Sequence, residues 1–532
     1  MINDIAKDDT PSSTINKIKK ILLKNRIKIK RYSFRKVTNK FYSTRIELRS
    51  FYNLGVNGKG ISKKAALASA YAEFMERFQS FNLIRETFLL ESLGVKYKKI
   101  NLQHDYLKLF FEKGIPIKEI EKIFKNNNFN KTASFYNAIQ DTEEVLPIGL
   151  INCVTHTNGL CSGNNKYEAL VQGICEVFER HCYKQILCNN SKIKNINLTI
   201  DLKKILNYDF FKKEGYEVYL KDCSLNIYPV VGLLIKKNNK YLFVLGSHLD
   251  INIAAQRCIT ESLQGINSLK ELYRKMKKYD DDIICSEELQ KINWIRSYSS
   301  NNGTIYKRID DYTDNIDYKE IKIFENYKSN LEYYNNLKKI IEEANLNLYI
   351  KDYSVLGFPT YKVYIPTLSE IDKINLYEID FIANFNLLKN IYFNIEGDYS
   401  ECDISKCINS LKQIINCGKY SIMNCGKLFS SANYISTPYN NISIEFFYYL
   451  LKFKNSDDKI LIEDIMDSNI KKYFKKIEIN NKCGKFDFLL KNIKIDITHC
   501  PNCKKCNLKK KCSYKKYYKL FLKLSGGGEK NV

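Results

Sequence analysis

The apolar patterning of the chain predicts an α+β protein, and three observations carry that reading. Helical periods alternate with strand runs that look antiparallel, one polar-turn-and-helix stretch occurs twice, and the pattern turns mainly helical after about residue 375. Residues 11–25 (PSSTINKIKKILLKN) place apolar side chains at helical spacing behind a Ser/Thr cap. Residues 26–60 alternate as strands do, and NLGVNGKG closes them as a turn. A helix opens at Ser62 and runs over 62–82, rich in Ala, Leu and Met. Residues 96–142 read as a connector with a short helix at 117–125. Residues 144–158 read as strands leading to a glycine-bearing turn at 162–165, and a helix follows over 167–188. Next come a helix at 202–214 and strands over 216–247, two of them joined by KNNK. A further helix is expected at 252–278, a polar excursion at 279–330, a helix at 330–345 and strands at 347–366.

The repeated stretch organises the chain. GISKKAALASAYAEFMER (60–77) and GNNKYEALVQGICEVFER (163–180) share Gly60/Gly163, Lys63/Lys166, Ala66/Ala169, Leu67/Leu170, Glu73/Glu176, Glu76/Glu179 and Arg77/Arg180 without a gap. We read an internal duplication of strand, turn and helix that carries carboxylates into one site. Ser69, Glu73 and Glu76 are spaced i, i+4, i+7, and Glu168, Gln172, Glu176 and Glu179 are spaced i, i+4, i+8, i+11, so each set lies on one helical face. An amphipathic helix can show such a stripe to solvent for solubility alone. Solubility gives no reason, however, to keep Glu-x-x-Glu-Arg in both copies, and like charges one turn apart repel unless a cation sits between them. Carboxylates facing one another make an oxygen-rich cage suited to Mg2+, which normally accompanies a polyphosphate. Arg257 and Glu261 add an i, i+4 pair from the third helix, which taken alone reads as a surface salt bridge and beside these carboxylates could supply a phosphate contact and one more ligand. No G-x-x-x-x-G-K-[ST] loop is present, so any nucleotide must be held by metal and side chains. Asn164, Glu168 and Gln172 stand where the first copy has Ile61, Ala65 and Ser69. This asymmetry predicts one composite site, with the first copy holding metal and the second holding metal and nucleotide.

Composition bounds the partners. Hydrophobic content of 44% suits a globular chain of 532 residues, and the apolar run at 228–235 is too short to span a membrane. With the polar start MINDIAKDDT, this predicts a soluble, cytoplasmic protein with no membrane partner. The formal net charge of +26 admits a basic RNA-binding protein as an alternative. Yet the lysines are spread along the chain with abundant Asn, Ile and Tyr, so nucleic acid is not the expected partner. Without a secretory context the 17 cysteines are expected to be reduced thiols. Cys500, Cys503, Cys506 and Cys512, spaced Cys-x2-Cys-x2-Cys-x5-Cys, suit Zn2+ or an iron–sulfur cluster.

GKGISKKAALASAYAEFMERFQ, SGNNKYEALVQGICEVFER and AAQRCITESLQG resemble, in order, the three nucleotide-binding signatures of the YcaO family, and THTNGLCSGNNKYEALVQG and LYIKDYSVLGFPTYKVYIP resemble segments of its stand-alone bacterial members. The resemblance implies a YcaO-type ATP- and Mg2+-binding domain over 1–370, ahead of a mainly helical region at 371–490 and a Cys-rich tail at 491–532. It implies a homodimer that phosphorylates an amide oxygen of a peptide or protein backbone. The product is then an azoline, thioamide or amidine, according to whether a side chain, sulfide or an amine attacks. It implies Glu73, Glu76, Glu176, Glu179 and Glu261 as Mg2+ ligands. Ser69, Asn164, Glu168, Gln172, Arg180 and Arg257 are the implied ATP contacts, with Lys7 and Thr14 matched to an N-terminal Lys and Ser, and Glu73, Glu176 and Arg257 are expected to carry catalysis. The chain ends SGGGEKNV where azoline-forming members carry P-x-P-x-P. Stand-alone relatives without that tail are connected, as accessory factors, with β-methylthiolation of a ribosomal protein. A sulfur-transfer or substrate-recruiting protein is the corresponding partner.

Overall fold

The computed structural model describes residues 7–38, 40–49, 55–80, 82–83, 96–97, 104–124, 131–189, 193–280, 304–305, 314–393, 397–416 and 443–454. Contacts divide the chain into two units, one of 1–49, 55–83 and 133–373, the other of 50–54, 84–132 and 374–532. Along the chain the elements are α1 (Pro11–Lys24), β1 (Ile29–Arg31), β2 (Arg35–Thr38), β3 (Phe41–Leu48), β4 (Gly55–Gly60), α2 (Lys63–Gln79), β5 (Lys96–Tyr97), α3 (His104–Phe110), α4 (Ile117–Phe124), β6 (Lys131–Asn137), β7 (Thr142–Leu146), α5 (Ile148–Thr155), β8 (Leu160–Ser162), α6 (Lys166–Asn189), β9 (Asn195–Ile196), α7 (Ile200–Leu206), α8 (Tyr208–Lys213), β10 (Glu217–Asp222), β11 (Val230–Lys237), β12 (Lys240–Ser247), α9 (Ile251–Ser262), α10 (Leu269–Asp280), β13 (Thr304–Ile305), β14 (Asn315–Ile316), α11 (Asn330–Glu343), β15 (Tyr349–Asp352), β16 (Thr360–Tyr364), α12 (Leu376–Ala383), α13 (Phe385–Phe393), α14 (Glu401–Asn416) and α15 (Ile444–Lys454). This mixture of helices and largely antiparallel strands is the α+β class the sequence predicts.

In the first unit β3 pairs antiparallel with β1, β2 and β4. A second sheet runs β13-β12-β11-β10-β9-β14 and is antiparallel except where β14 meets β9. The third is an antiparallel array, with β6 pairing β7 and β15, β15 pairing β16, and β16 pairing β8. The β11–β12 hairpin turns on Asn238 and Asn239 at φ 48 and 58, the left-handed pair that a tight two-residue turn needs. The apolar run of β11 has both faces buried. Val230 and Leu234 belong to the core that α6 fills, while Val231, Leu233 and Ile235 belong to the core under α7 and α9. Helix α6 is therefore packed between two sheets, with Ile174, Val177, Phe178 and Cys182 fully buried. Each large apolar side chain so buried contributes about 1.5–3 kcal/mol.

Several expected elements differ. GVNGKG is the strand β4, not a turn, because its glycines let α2 lie directly on the strand: a Cβ on Gly60 would come 2.7 Å from the Ala66 nitrogen. Residues 148–155 form helix α5 where strands were expected, burying Ile148, Ile151 and Val154 along one face. The strand entering α6 consequently has β16 as its partner, so the two copies do not share a preceding strand pair. The helix expected at 202–214 breaks at Asn207, which is left-handed at φ 53. That expected at 252–278 breaks between α9 and α10, where Gly265 takes φ 75. The connector at 96–142 also contains α3 and β6, unrecognised because β6 (KTASFYN) is mostly polar.

In the second unit the pair Lys96–Tyr97 hydrogen-bonds to residues 131–132, and α4 packs on α12, with Lys122 on Asp380 at 3.2 Å. A capping box of Asn375 and Glu378 starts α12. Among the described residues no helix is long and apolar enough to cross a membrane. Cys153, Cys161, Cys175, Cys182, Cys223, Cys258, Cys402 and Cys407 are free thiols. Cys500, Cys503, Cys506 and Cys512 lie outside the described residues.

Candidate active site

Both copies of the repeated stretch build a helix entry in the same way. Ser62 accepts a hydrogen bond from the nitrogen of Ala65 and starts α2, and Asn165 accepts one from the nitrogen of Glu168 and starts α6. A Cβ on Gly163 would meet the Ala169 nitrogen at 2.6 Å, the counterpart of Gly60 against Ala66. The two copies touch within the first unit: the Ser162 hydroxyl donates to the Ala72 carbonyl at 2.9 Å. With α9 as a third wall, these helices enclose a cavity of about 400 Å3.

Every candidate residue from the described part of the chain lines that cavity. Helix α2 supplies Ser69, Glu73 and Glu76, the turn supplies Asn164, α6 supplies Glu168, Gln172, Glu176, Glu179 and Arg180, and α9 supplies Arg257 and Glu261. Lys7 and Thr14 reach it from the N-terminal segment. That segment is fastened to the start of α6. The Thr14 hydroxyl donates to Asn164 Oδ1 at 2.8 Å, and Asn164 Nδ2 donates to Glu168 Oε2 at 3.0 Å. Lys7 Nζ lies 3.2 Å from Glu168 and 3.3 Å from Gln172 Oε1. Lys7, Thr14, Asn164, Glu168 and Gln172 thus form one linked polar cluster in the lining.

Elsewhere in the lining acids are paired with bases. Arg77 Nε lies 3.4 Å from Glu76 and 3.9 Å from Glu73, Arg180 lies 3.9 Å from Glu176, and Lys59 from β4 pairs with Glu261. Arg257 Nη1 donates to the Ser247 carbonyl at 2.7 Å. Burial pushes the Glu76 carboxyl up to about 8, even against the pull of Arg77, and raises Glu73 as well. Burial also brings Lys59 down to about 8, opposed by Glu179 and Glu73. Among the described residues no group of three or more His, Cys, Asp or Glu side chains is gathered as a ready metal-binding set. Glu73 and Glu76 instead face Arg77, Glu176 faces Arg180 and Glu261 faces Lys59. The donor set nonetheless suits a hard divalent ion: all candidate ligands are carboxylate oxygens, and those of Glu73 and Glu76 are held where an added cation would favour their charged form. Arg77, which lines the cavity, has its Nη1 buried without a hydrogen-bond partner.

Two residues escaped the sequence reading. Lys59 lies between the glycines of GKG, in what looked like a turn, and its partner in the second copy is Ser162, so the repeat did not flag it. Lys362, buried in β16, donates to Thr155 Oγ1, the His156 carbonyl and the Asn158 carbonyl at 2.9, 3.0 and 2.7 Å. It clamps a loop whose His156 is left-handed at φ 50 and whose Thr157 lines the cavity. The only sequence signal was a lysine inside the strand TYKVY. Burial raises the Cys161 and Cys175 thiols, so neither is a ready nucleophile.

Known proteins share this sequence pattern. A family model described as YcaO cyclodehydratase, ATP- and Mg2+-binding, matches residues 57–369. An uncharacterized protein of Haemophilus influenzae is 27% identical over 343 residues, 59% of this chain and 57% of its own. The ribosomal protein S12 methylthiotransferase accessory factor YcaO of Escherichia coli is 26% identical over 347 residues, again 59% and 57%. The chain therefore matches little more than half the length of these curated relatives. A solved structure of YcaO from Methanopyrus kandleri bound with AMPPCP and Mg2+ aligns with 70% of this chain and 95% of its own, at 15% identity and a TM-score of 0.48. Since the family match spans more than half of the residues and takes in all three helices that wall the cavity, this chain belongs to the YcaO family.

Proposed function

We propose that this chain is an enzyme that uses ATP and Mg2+ to phosphorylate, and so activate, a backbone amide of a peptide or protein. The observation that supports it is the convergence of Glu73, Glu76, Glu176, Glu179 and Glu261 with Arg77, Arg180 and Arg257 on one cavity inside the span of the family match. The five glutamates would hold Mg2+, whose charge neutralises the phosphate oxygens of the nucleotide. Ser69, Asn164, Glu168, Gln172, Arg180 and Arg257, with Lys7 and Thr14, would hold and orient the nucleotide. Arg180 and Arg257 set positive charge where a transferring phosphoryl group gathers negative charge, and the packed helices keep those charges in place. A neutral amide oxygen is a poor leaving group, and its phosphate ester is a good one. Attack by a side chain of the peptide, by sulfide or by an amine then completes an azoline, a thioamide or an amidine.

Calorimetric titration with a non-hydrolysable ATP analogue and Mg2+ tests the site: Glu73→Ala or Glu176→Ala abolishes binding, and an unchanged affinity in either variant refutes the assignment. The E. coli relative's designation as an accessory factor favours a second reading, an ATP-binding accessory protein in ribosomal protein β-methylthiolation. ATP turnover that a substrate peptide accelerates supports the enzyme, whereas binding with slow turnover indifferent to peptides supports the accessory factor.

A further inference from the structure

Lys59, like Lys7 and Arg257, is a cationic side chain of the cavity that lies outside the repeated motif. It projects from β4 into the cavity, its ammonium rests on Glu261, and the carboxylates of Glu179 and Glu73 attract it while Arg257 and Arg180 repel it. Its backbone is held on both sides, paired with Ser43 of β3 and directed by its N–H toward Ser69 Oγ at 3.5 Å. The strand is thus anchored, while the ammonium sits at the end of a flexible four-carbon stem. Its partner matters more. Glu261 comes from α9, away from the arginines that follow the glutamates of α2 and α6, and Lys59 is the cation the structure places on it.

We propose that Lys59 is an exchangeable counter-cation, which neutralises Glu261 and, when Glu261 turns to a divalent ion, carries its ammonium to the phosphate oxygens of the nucleotide. The inference rests on the ATP and Mg2+ reading above and adds a residue and an order to it. Two cations compete for one carboxylate, so the lysine weakens the binding of a divalent ion alone. Once displaced, the same lysine becomes a charged donor that strengthens binding of the metal–nucleotide pair. Lys59 therefore makes the site favour metal and nucleotide together over metal by itself.

This predicts effects of opposite sign from one substitution. In the full chain, Lys59→Met and Lys59→Gln bind Mn2+ alone several-fold more tightly than wild type, read by calorimetry and by the electron paramagnetic resonance signal of free Mn2+. The same variants bind a non-hydrolysable ATP analogue with Mg2+ about tenfold or more weakly, the cost of one charge-assisted hydrogen bond. Lys59→Arg keeps the charge and recovers most of the nucleotide affinity. Circular dichroism melting identifies which of the two neutral variants is folded and usable. Mn2+ affinity that is unchanged or reduced in the folded neutral variants overturns the proposal, as does a parallel loss of both affinities, which would mark Lys59 as merely structural. Wild-type protein that binds no nucleotide analogue overturns the ATP reading itself, whereas wild-type binding untouched by the Lys59 variants overturns this inference alone.

Discussion

Lys362 shows how a single buried charge shapes the site. One ammonium satisfies three oxygens of the 155–158 loop, and burial brings its pKa down to about 7 against the pull of Glu176. Between about 7 and 10.5 the unfolded chain keeps this proton and the folded chain releases it, so stability rises with pH across that window. Lys362→Met removes that slope and leaves buried acceptors unpaired, a loss of about 1–3 kcal/mol. Urea unfolding at a series of pH values measures both, and a slope that persists in the variant refutes the account. Nothing in TYKVY indicated which face the lysine would take, because that depends on β16 lying between β15 and β8. The glutamates are the contrary case. Glu73, Glu76, Glu176 and Glu179 were legible because helical spacing alone puts them on one face.

At the scale of the element, the strand–turn–helix entry is the reused part. Gly60 and Gly163 each bring a helix nitrogen to within 2.7 and 2.6 Å of where a Cβ would stand, so Gly60→Ala and Gly163→Ala should each cost about 1–3 kcal/mol through forced backbone shifts. Chemical denaturation checks this, and a neutral Gly60→Ala would show that α2 adjusts without strain. Ser62→Ala removes the side-chain acceptor of the first turn of α2, for about 1 kcal/mol. These entries were legible because capping residues and glycines act locally. The strands around them were less so: GVNGKG pairs as a strand only because β3 lies beside it, and IGLINCVT is a helix because one face of it is buried. A short apolar run has no period long enough to separate the two states.

For the whole molecule, function depends on gathering segments distant in sequence. Lys7, Glu73, Glu176 and Arg257 come from four stretches of the first unit and meet at one cavity. Mg2+ and a non-hydrolysable ATP analogue added together should raise the thermal midpoint more than either alone, because ligand at about a hundred times its Kd adds about 2.7 kcal/mol to the folded state. A midpoint that responds equally to the nucleotide with and without Mg2+ would falsify the joint site. By itself the sequence determined the α+β class, the two Glu-x-x-Glu-Arg faces and the family, since periodicity, capping and motif identity are written in neighbouring residues. Only the tertiary structure decided that the two faces and α9 look into one cavity, that the N-terminal segment is fastened to α6, that Lys59 pairs with Glu261 and that Lys362 clamps the 155–158 loop. Those facts follow from strand pairing and helix packing between residues far apart in the chain, where no local pattern in the sequence records the partner.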